Sequence, residues 1–342
     1  MRIKYRYRTK RFSTAGMVIV LLPAFILAIL LLPGCKIGDS VGPGGTSPNI
    51  YHIGELDTPG FAYAVDISDY DVYVADGAGG LRIINVASPH FPQQKDYYED
   101  VGIYYDVKYS GGDYVYVAAG EAGFKIIDVK SPFGPELIDE YATYNAFGLD
   151  YAGQYVYLAD EMSGVRILDV SNPFSIYEIS NLMVQGQRVN NVTVQWPYLY
   201  VSSRYGFSIV NIENPIAPIE LHYESAPSHV YDIEIVDHRA YVAYEGGLRV
   251  YYVNDPYDPE LLGFVHLPST ARSVTVRGDF AYVTIGRNGL SIIDISDPHN
   301  PYEIAYYSPA AGEMSDVLLQ GRYLYLANGE AGLMILEFWP GF

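Results

Sequence analysis

The stretch VYVADGAGGLRIINV at residues 72–86 constrains the fold more than any other part of this chain, because it returns six more times. It is an alternating apolar run, a glycine-rich turn and a second alternating run, the pattern of a β-hairpin. The later copies are VYVAAGEAGFKIIDV from Val115, VYLADEMSGVRILDV from Val156, LYVSSRYGFSIVNI from Leu199, AYVAYEGGLRVYYV from Ala240, AYVTIGRNGLSIIDI from Ala281 and LYLANGEAGLMILEF from Leu324. The apolar residue after each turn's last glycine is Leu81, Phe124, Val165, Phe207, Leu248, Leu290 and Leu333, so the spacings are 43, 41, 42, 41, 42 and 43 residues.

A period of about 40 to 45 residues is that of a four-stranded propeller blade. The 294 residues from Asn49 to Phe342 equal seven units of 42, so one array of blades accounts for the whole folded part. Within a unit, two-residue alternation predicts four strands, which in the second unit fall at residues 105–110, 114–118, 123–129 and 136–141 (strands a to d). Prolines gather between c and d, in NVASPHFP, DVSNPF, NIENPIAP, VNDPYDP and DISDPHNP, and mark that connection as a turn, since proline cannot donate to a ladder. The seventh unit stops after its c strand, LMILEF, while residues 50–56 look like a d strand with no unit of its own. The expected fold is all-β: a seven-bladed β-propeller of four-stranded antiparallel blades, closed by an N-terminal strand that completes the last blade.

The N-terminus belongs to another regime. Six basic residues from Arg2 to Arg11 precede an apolar run over residues 15–32, a basic and then hydrophobic order that reads as a secretory signal; the run is also long enough to serve as an uncleaved membrane anchor. Leu32, Pro33, Gly34 and Cys35 resemble a bacterial lipobox. That resemblance implies a signal peptide over residues 1–34, lipidation of Cys35, the only cysteine, and a Gly/Ser/Pro-rich tether through residue 48. Lys36 after the cysteine implies, by the same resemblance, export to an outward-facing site in the cell envelope, at the outer membrane or cell surface. Without residues 1–34 the chain holds 15 basic and 40 acidic residues, a net charge of −25, which disfavours nucleic acid and anionic lipid and suits a soluble, monomeric extracytoplasmic domain. A single cysteine excludes a disulfide framework, so stability must come from burial between repeats.

The segments Leu81-Arg82-Ile83-Ile84-Asn85-Val86, Phe124-Lys125-Ile126-Ile127-Asp128-Val129 and Leu290-Ser291-Ile292-Ile293-Asp294-Ile295, each leading into a proline turn, resemble the LVIVD repeat of bacterial and archaeal surface proteins. The resemblance implies a β-propeller but brings no catalytic motif. WD and kelch repeats fit less well, for lack of their Trp-Asp ending or Gly-Gly doublet.

Candidate chemistry falls in two places. The innermost a strands carry an inward row of Ala64, Asp106, Gly148, Asn191, Asp232, Ser273 and Asp316, and two residues on a second row of Asp66, Lys108, Asp150, Thr193, Glu234, Thr275 and Leu318. Asp66, Asp106, Asp150, Asp232, Glu234 and Asp316 could converge on Ca²⁺, which takes six to eight oxygens. The other reading is that each carboxylate accepts backbone amides and fixes blade against blade. The second place is the end carrying the d-a and b-c turns, where Arg188, Arg204, Tyr205, His229, Tyr231, Tyr244, Arg272 and Arg287 suggest a surface for an anionic ligand or an acidic protein, within a variable ring of Asp76, Glu121, Glu161, Arg204, Glu245, Arg287 and Glu330. Trp196 and Trp339 read as packing residues. No nucleophile elbow, phosphate loop or close histidine pair occurs, so no catalytic residue is assigned. The expected function is that of a lipid-anchored interaction or ligand-binding module, whose partner is an envelope or extracellular protein or a small anion; the alternatives are an extracytoplasmic hydrolase or lyase with a site at the channel mouth, and a purely structural envelope protein.

Overall fold

A computed structural model describes residues 46–339; the readings of residues 1–34, of Cys35 and of the tether through residue 45 lie outside the described residues. Among the described residues twenty-eight strands form seven four-stranded sheets. Six of them are simple antiparallel meanders of one repeat each; the second, for example, runs Asp106–Tyr109, Tyr114–Ala118, Phe124–Asp128 and Glu136–Tyr141. In the seventh, Ile50–Leu56 lies outermost against Leu333–Phe338, with Ile50 opposite Phe338 and Leu56 opposite Leu333. The ring is therefore closed by its own first strand. Gly54 sits at the single register shift of that pair, where an added Cβ would meet the Pro89 carbonyl at 2.2 Å, so only glycine lets the strand approach the first blade's c-d turn.

The core is divided among the blade interfaces. Seven apolar clusters each draw on two adjacent blades, and the apolar residues between the two inward rows, Val65, Val107, Leu149, Val192, Ile233, Val274 and Val317, fall one to a cluster, none more than 4% exposed. Each such side chain contributes roughly 1.5–3 kcal/mol through burial. A blade alone would leave both its faces in water.

A meander puts the d-a and b-c turns at one end of the ring and the a-b and c-d turns at the other. At the first end five of the seven b-c turns reach sideways to the start of the next blade, through the bridges Gly77 to Tyr104, Gly120 to Ala146, Glu161 to Val189, Gly286 to Met314 and Gly329 to Ala62. Trp196 and Trp339 depart from expectation: they stand on turns at the other end, 59% and 52% exposed, because the c-strand and b-strand apolar residues already fill the interfaces. Deleting residues 49–57 removes the closing strand and uncovers the last blade; a sharp fall in melting temperature is expected, reflecting several kcal/mol of lost burial, and an unchanged melting curve by circular dichroism would contradict closure.

Candidate functional site

The inward carboxylates bind blade to blade. Asp106 takes the amide of Leu149 in the next blade at 2.8 Å and that of Val107 in its own at 2.7 Å. Asp66 does the same with Tyr109 (2.6 Å) and Ile67, Asp150 with Val194 (2.7 Å) and Tyr151, Asp232 with Val274 (3.0 Å) and Ile233, and Asp316 with Val65 (2.9 Å) and Val317. The two junctions without such a carboxylate use neutral donors: Asn191 donates to Asp232 and Thr193 to the Ile233 carbonyl between blades four and five, and Ser273 donates to Asp316 between six and seven. All seven junctions are thus spanned by innermost-strand side chains, each charged bond worth about 1.5–3 kcal/mol. Because these oxygens are held by amides around the wall, no group of three or more His, Cys, Asp or Glu among the described residues is placed to hold a metal ion. The calcium set of Asp66, Asp106, Asp150, Asp232, Glu234 and Asp316 is not brought together; the blade-fixing arrangement is what forms.

Two charged side chains of the second row stand apart from this pattern. Among the described residues neither Lys108 nor Glu234 makes a side-chain hydrogen bond or an ion pair within 4 Å, and both line the central channel, a cavity of about 690 Å³. Burial works against the Lys108 charge, but Asp106, Asp150, Asp66 and Asp316 outweigh it and hold the ammonium above its ordinary value. Burial, with Asp232 nearby, pushes Glu234 up to about 7, and burial likewise lifts Asp106 to about 7.

Above these rows the mouth is lined by one residue per blade: Tyr63, Tyr105, Phe147, Asn190, Tyr231, Arg272 and Ser315. Strict alternation would turn these away from the channel, since each immediately precedes a first-row residue. A β-bulge reverses that. In blade two the Tyr105 amide bonds to the Ala118 carbonyl while Asp106 also pairs with Ala118, so two residues face one and both side chains turn inward. The register shifts at Val189/Asn191 and Val230/Asp232 do the same for Asn190 and Tyr231.

The mouth is two-sided. On blades one to three Phe61, Tyr63, Tyr105 and Phe147 form a continuous aromatic arc with centroids 4.6, 4.9 and 4.8 Å apart. On blades four to six His229 stacks on Tyr231 at 4.4 Å, and the Arg272 guanidinium lies 4.9 Å from the centroid of the same tyrosine ring. Burial and the neighbouring Arg204 hold the His229 imidazole below its ordinary value, so it is neutral near pH 7. Of the basic residues, Arg188 faces Glu161 at 3.5 Å, and Arg272 and Arg287 share Glu313 at 3.3 Å each. Glu161 holds a left-handed backbone (φ 39°) at the bridge position where blades one, two, six and seven have Gly77, Gly120, Gly286 and Gly329. A strained acid in a glycine position on the cavity wall is a departure from the repeat that packing does not require.

Arg188, His229, Tyr231 and Arg272 from the sequence-derived surface are therefore brought together on the cavity wall. Tyr205 and Arg204 stand outside it on an exposed b-c turn, the guanidinium 5.4 Å over the ring. Tyr244 leaves the surface, 3% exposed under Arg249, and Asp76 is fully buried, its carboxylate accepting from Thr58 and the Gly60 amide to pin a d-a turn. Phe61, Tyr63, Tyr105, Phe147 and Asn190 were missed, although stepping one residue back from the first inward row finds all but Phe61.

The LVIVD repeat model matches residues 59–100, 102–143, 146–184, 186–223, 268–308 and 311–337. The chain belongs to the LVIVD repeat family. The interval left between the fourth and fifth matches is blade five of this LVIVD propeller, Val230–Val236 to Glu260–His266, whose c strand Gly247–Tyr252 ends in two tyrosines. No curated protein matches the chain in sequence. Among solved structures the LVIVD propeller is similar to the computationally designed Ika8 protein (TM-score 0.63, 8% identity, 84% of this chain and 99% of that one) and to a chain of the mitotic checkpoint complex (TM-score 0.70, 16% identity, 93% and 100%). At these identities the likeness is one of fold.

Glu234 makes the channel measurable. Its folded pKa lies above the ordinary carboxylate value, so as pH rises from about 4.5 to about 7 the unfolded chain releases a proton that the folded chain keeps, and stability falls. The melting temperature is expected to drop across that window. Glu234→Gln should flatten the drop and raise the melting temperature at pH 8; an identical pH profile in the variant would rule this out.

Proposed function

We propose that this chain is a lipid-anchored cell-envelope propeller that works as a binding module, holding a small ligand or a projecting segment of an envelope protein at the channel mouth. The observation that carries this reading is the break in repeat symmetry at the mouth: an aromatic arc on blades one to three faces an Arg, Tyr and His wall on blades four to six, with Glu161 in a glycine position between them. Residues that only lock blades repeat around the ring, as the inward carboxylates do. Residues that recognise something need not. A cavity of about 690 Å³ is within the range of small-molecule sites, and its wall offers stacking area together with guanidinium donors for an anionic group. Anchoring is supported by the basic and apolar N-terminal segment and by Cys35 at its end.

One observation favours a second reading, an extracytoplasmic hydrolase or lyase. Glu234 is an unpartnered carboxylate in the channel with a pKa of about 7, the property of a general base. No nucleophile or metal set accompanies it among the described residues, and its position below Tyr231 on the channel wall equally suits the charged end of a ligand.

Crosslinking in intact cells, followed by recovery of the propeller, tests the binding reading with three forms. The wild type and an Arg204→Ala control outside the cavity are expected to recover the same ligand or protein, and a Tyr105→Ala, Arg272→Glu form to lose it by tenfold or more. Equal recovery by all three would remove the mouth from consideration. Cys35→Ala is expected to move the protein from the membrane fraction to the soluble fraction or to stall it as the uncleaved form, and unchanged fractionation and size would remove the anchor.

A further inference from the structure

The end of the ring opposite the mouth carries a repeated feature that recognition at the mouth does not use. In the c-d turns of blades two to five the residue after the first proline is Phe133, Phe174, Ile216 and Tyr257, exposed by 96, 67, 68 and 65%. Blade one carries Phe91 one place later, 75% exposed. Trp196, on an a-b turn, and Trp339, just past the c strand of blade seven, stand at the same end, and they are the chain's two tryptophans. Large apolar groups are normally spent inside, and a turn needs none of them.

Their arrangement selects the occupant. Equivalent turns of a closed ring lie in one plane, so these side chains are spread around a flat end instead of gathered in a patch. A protein partner is held by a contiguous, well-packed cluster. A bilayer surface takes separate side chains side by side; Trp and Tyr suit the headgroup level because they present an apolar body with a polar edge, and Phe and Ile add apolar area. The mouth end also exposes Val101, Ile103, Tyr144, Met162, Met183 and Tyr205, but these occupy unlike positions in their blades.

The rest of the chain points the same way. The apolar run at residues 15–32 and Cys35 precede the first described residue, Thr46, with ten residues between Cys35 and Thr46. Ten residues span at most about 35 Å. Thr46 bridges Tyr307 on the outer strand of blade six, and from that wall either end of a ring with five-residue strands, about 17 Å, is within reach. A net charge of −25 beyond residue 34 disfavours anionic lipid, so contact rests on the apolar side chains.

We infer that the propeller sits on a zwitterionic lipid surface through its c-d turn end, with Phe133, Phe174, Ile216, Tyr257 and the two tryptophans at headgroup level, so that the channel mouth faces away from the membrane. This placement rests on the anchor reading above. The test uses the full chain, purified from membranes in detergent and reconstituted into phosphatidylcholine vesicles with and without acyl-brominated phosphatidylcholine. With only Trp196 and Trp339 present, both at this end, tryptophan emission reports contact directly. The expected result is blue-shifted emission that the brominated lipid quenches, and loss of both in a Phe133→Asp, Phe174→Asp, Ile216→Asp variant that still floats with the vesicles and melts like the wild type. Flotation without quenching overturns the docking and leaves the anchor standing. Quenching that survives in the triple variant also overturns it, because the tether alone would then bring the tryptophans to lipid. Failure to float overturns anchor and docking together.

Discussion

Everything in this fold depends on the contact between adjacent blades. A four-stranded sheet with apolar side chains on both faces cannot shield itself, and here each face is covered only by the neighbouring sheet, in seven separate clusters. That makes the ring an all-around requirement, because an unpaired first or last blade would expose a whole cluster. Borrowing residues 50–56 for the seventh sheet meets the requirement through hydrogen bonds, since the strand that leads into blade one pairs in one ladder with Leu333–Phe338.

Hydrophobic burial brings blades together without fixing how far one slides on the next. The inward carboxylates supply that fixing. Each of Asp66, Asp106, Asp150, Asp232 and Asp316 spans an amide of its own strand and one of the next blade, so its two oxygens measure the offset between them. The consequence is an acidic, partly desolvated channel. Lys108 is the lone cation among the two inward rows, and Glu234, which locks nothing, shares the cost of that environment with Asp106, both being pushed up to about 7. The mouth above is then free to vary, since the blades are already held below it.

Much of this was legible in the residues. The hairpin repeat gave the number of blades, the proline turns separated c from d, and the orphan d-like segment gave the closure, all because burial on alternating faces leaves a two-residue rhythm within a 42-residue one. Blade five shows the strength of spacing over residue identity: its c strand departs from the repeat, yet its glycines and its distance from its neighbours place it. The site was legible only in part. Arg188, His229, Tyr231 and Arg272 stand out as departures from the repeat, whereas alternation assigns Tyr63, Tyr105 and Phe147 to the wrong side of the strand.

The sequence by itself determined the class, the blade count, the strand order and the segment that closes the ring, since each follows from local alternation and from periodic spacing. Tertiary structure alone decided which side chains meet. A bulge that turns Tyr105 inward, the amides that occupy both oxygens of Asp106, the burial of Asp76 and Tyr244, and the exposure of Trp196 and Trp339 all depend on the distance and tilt between neighbouring blades, quantities that no single strand encodes.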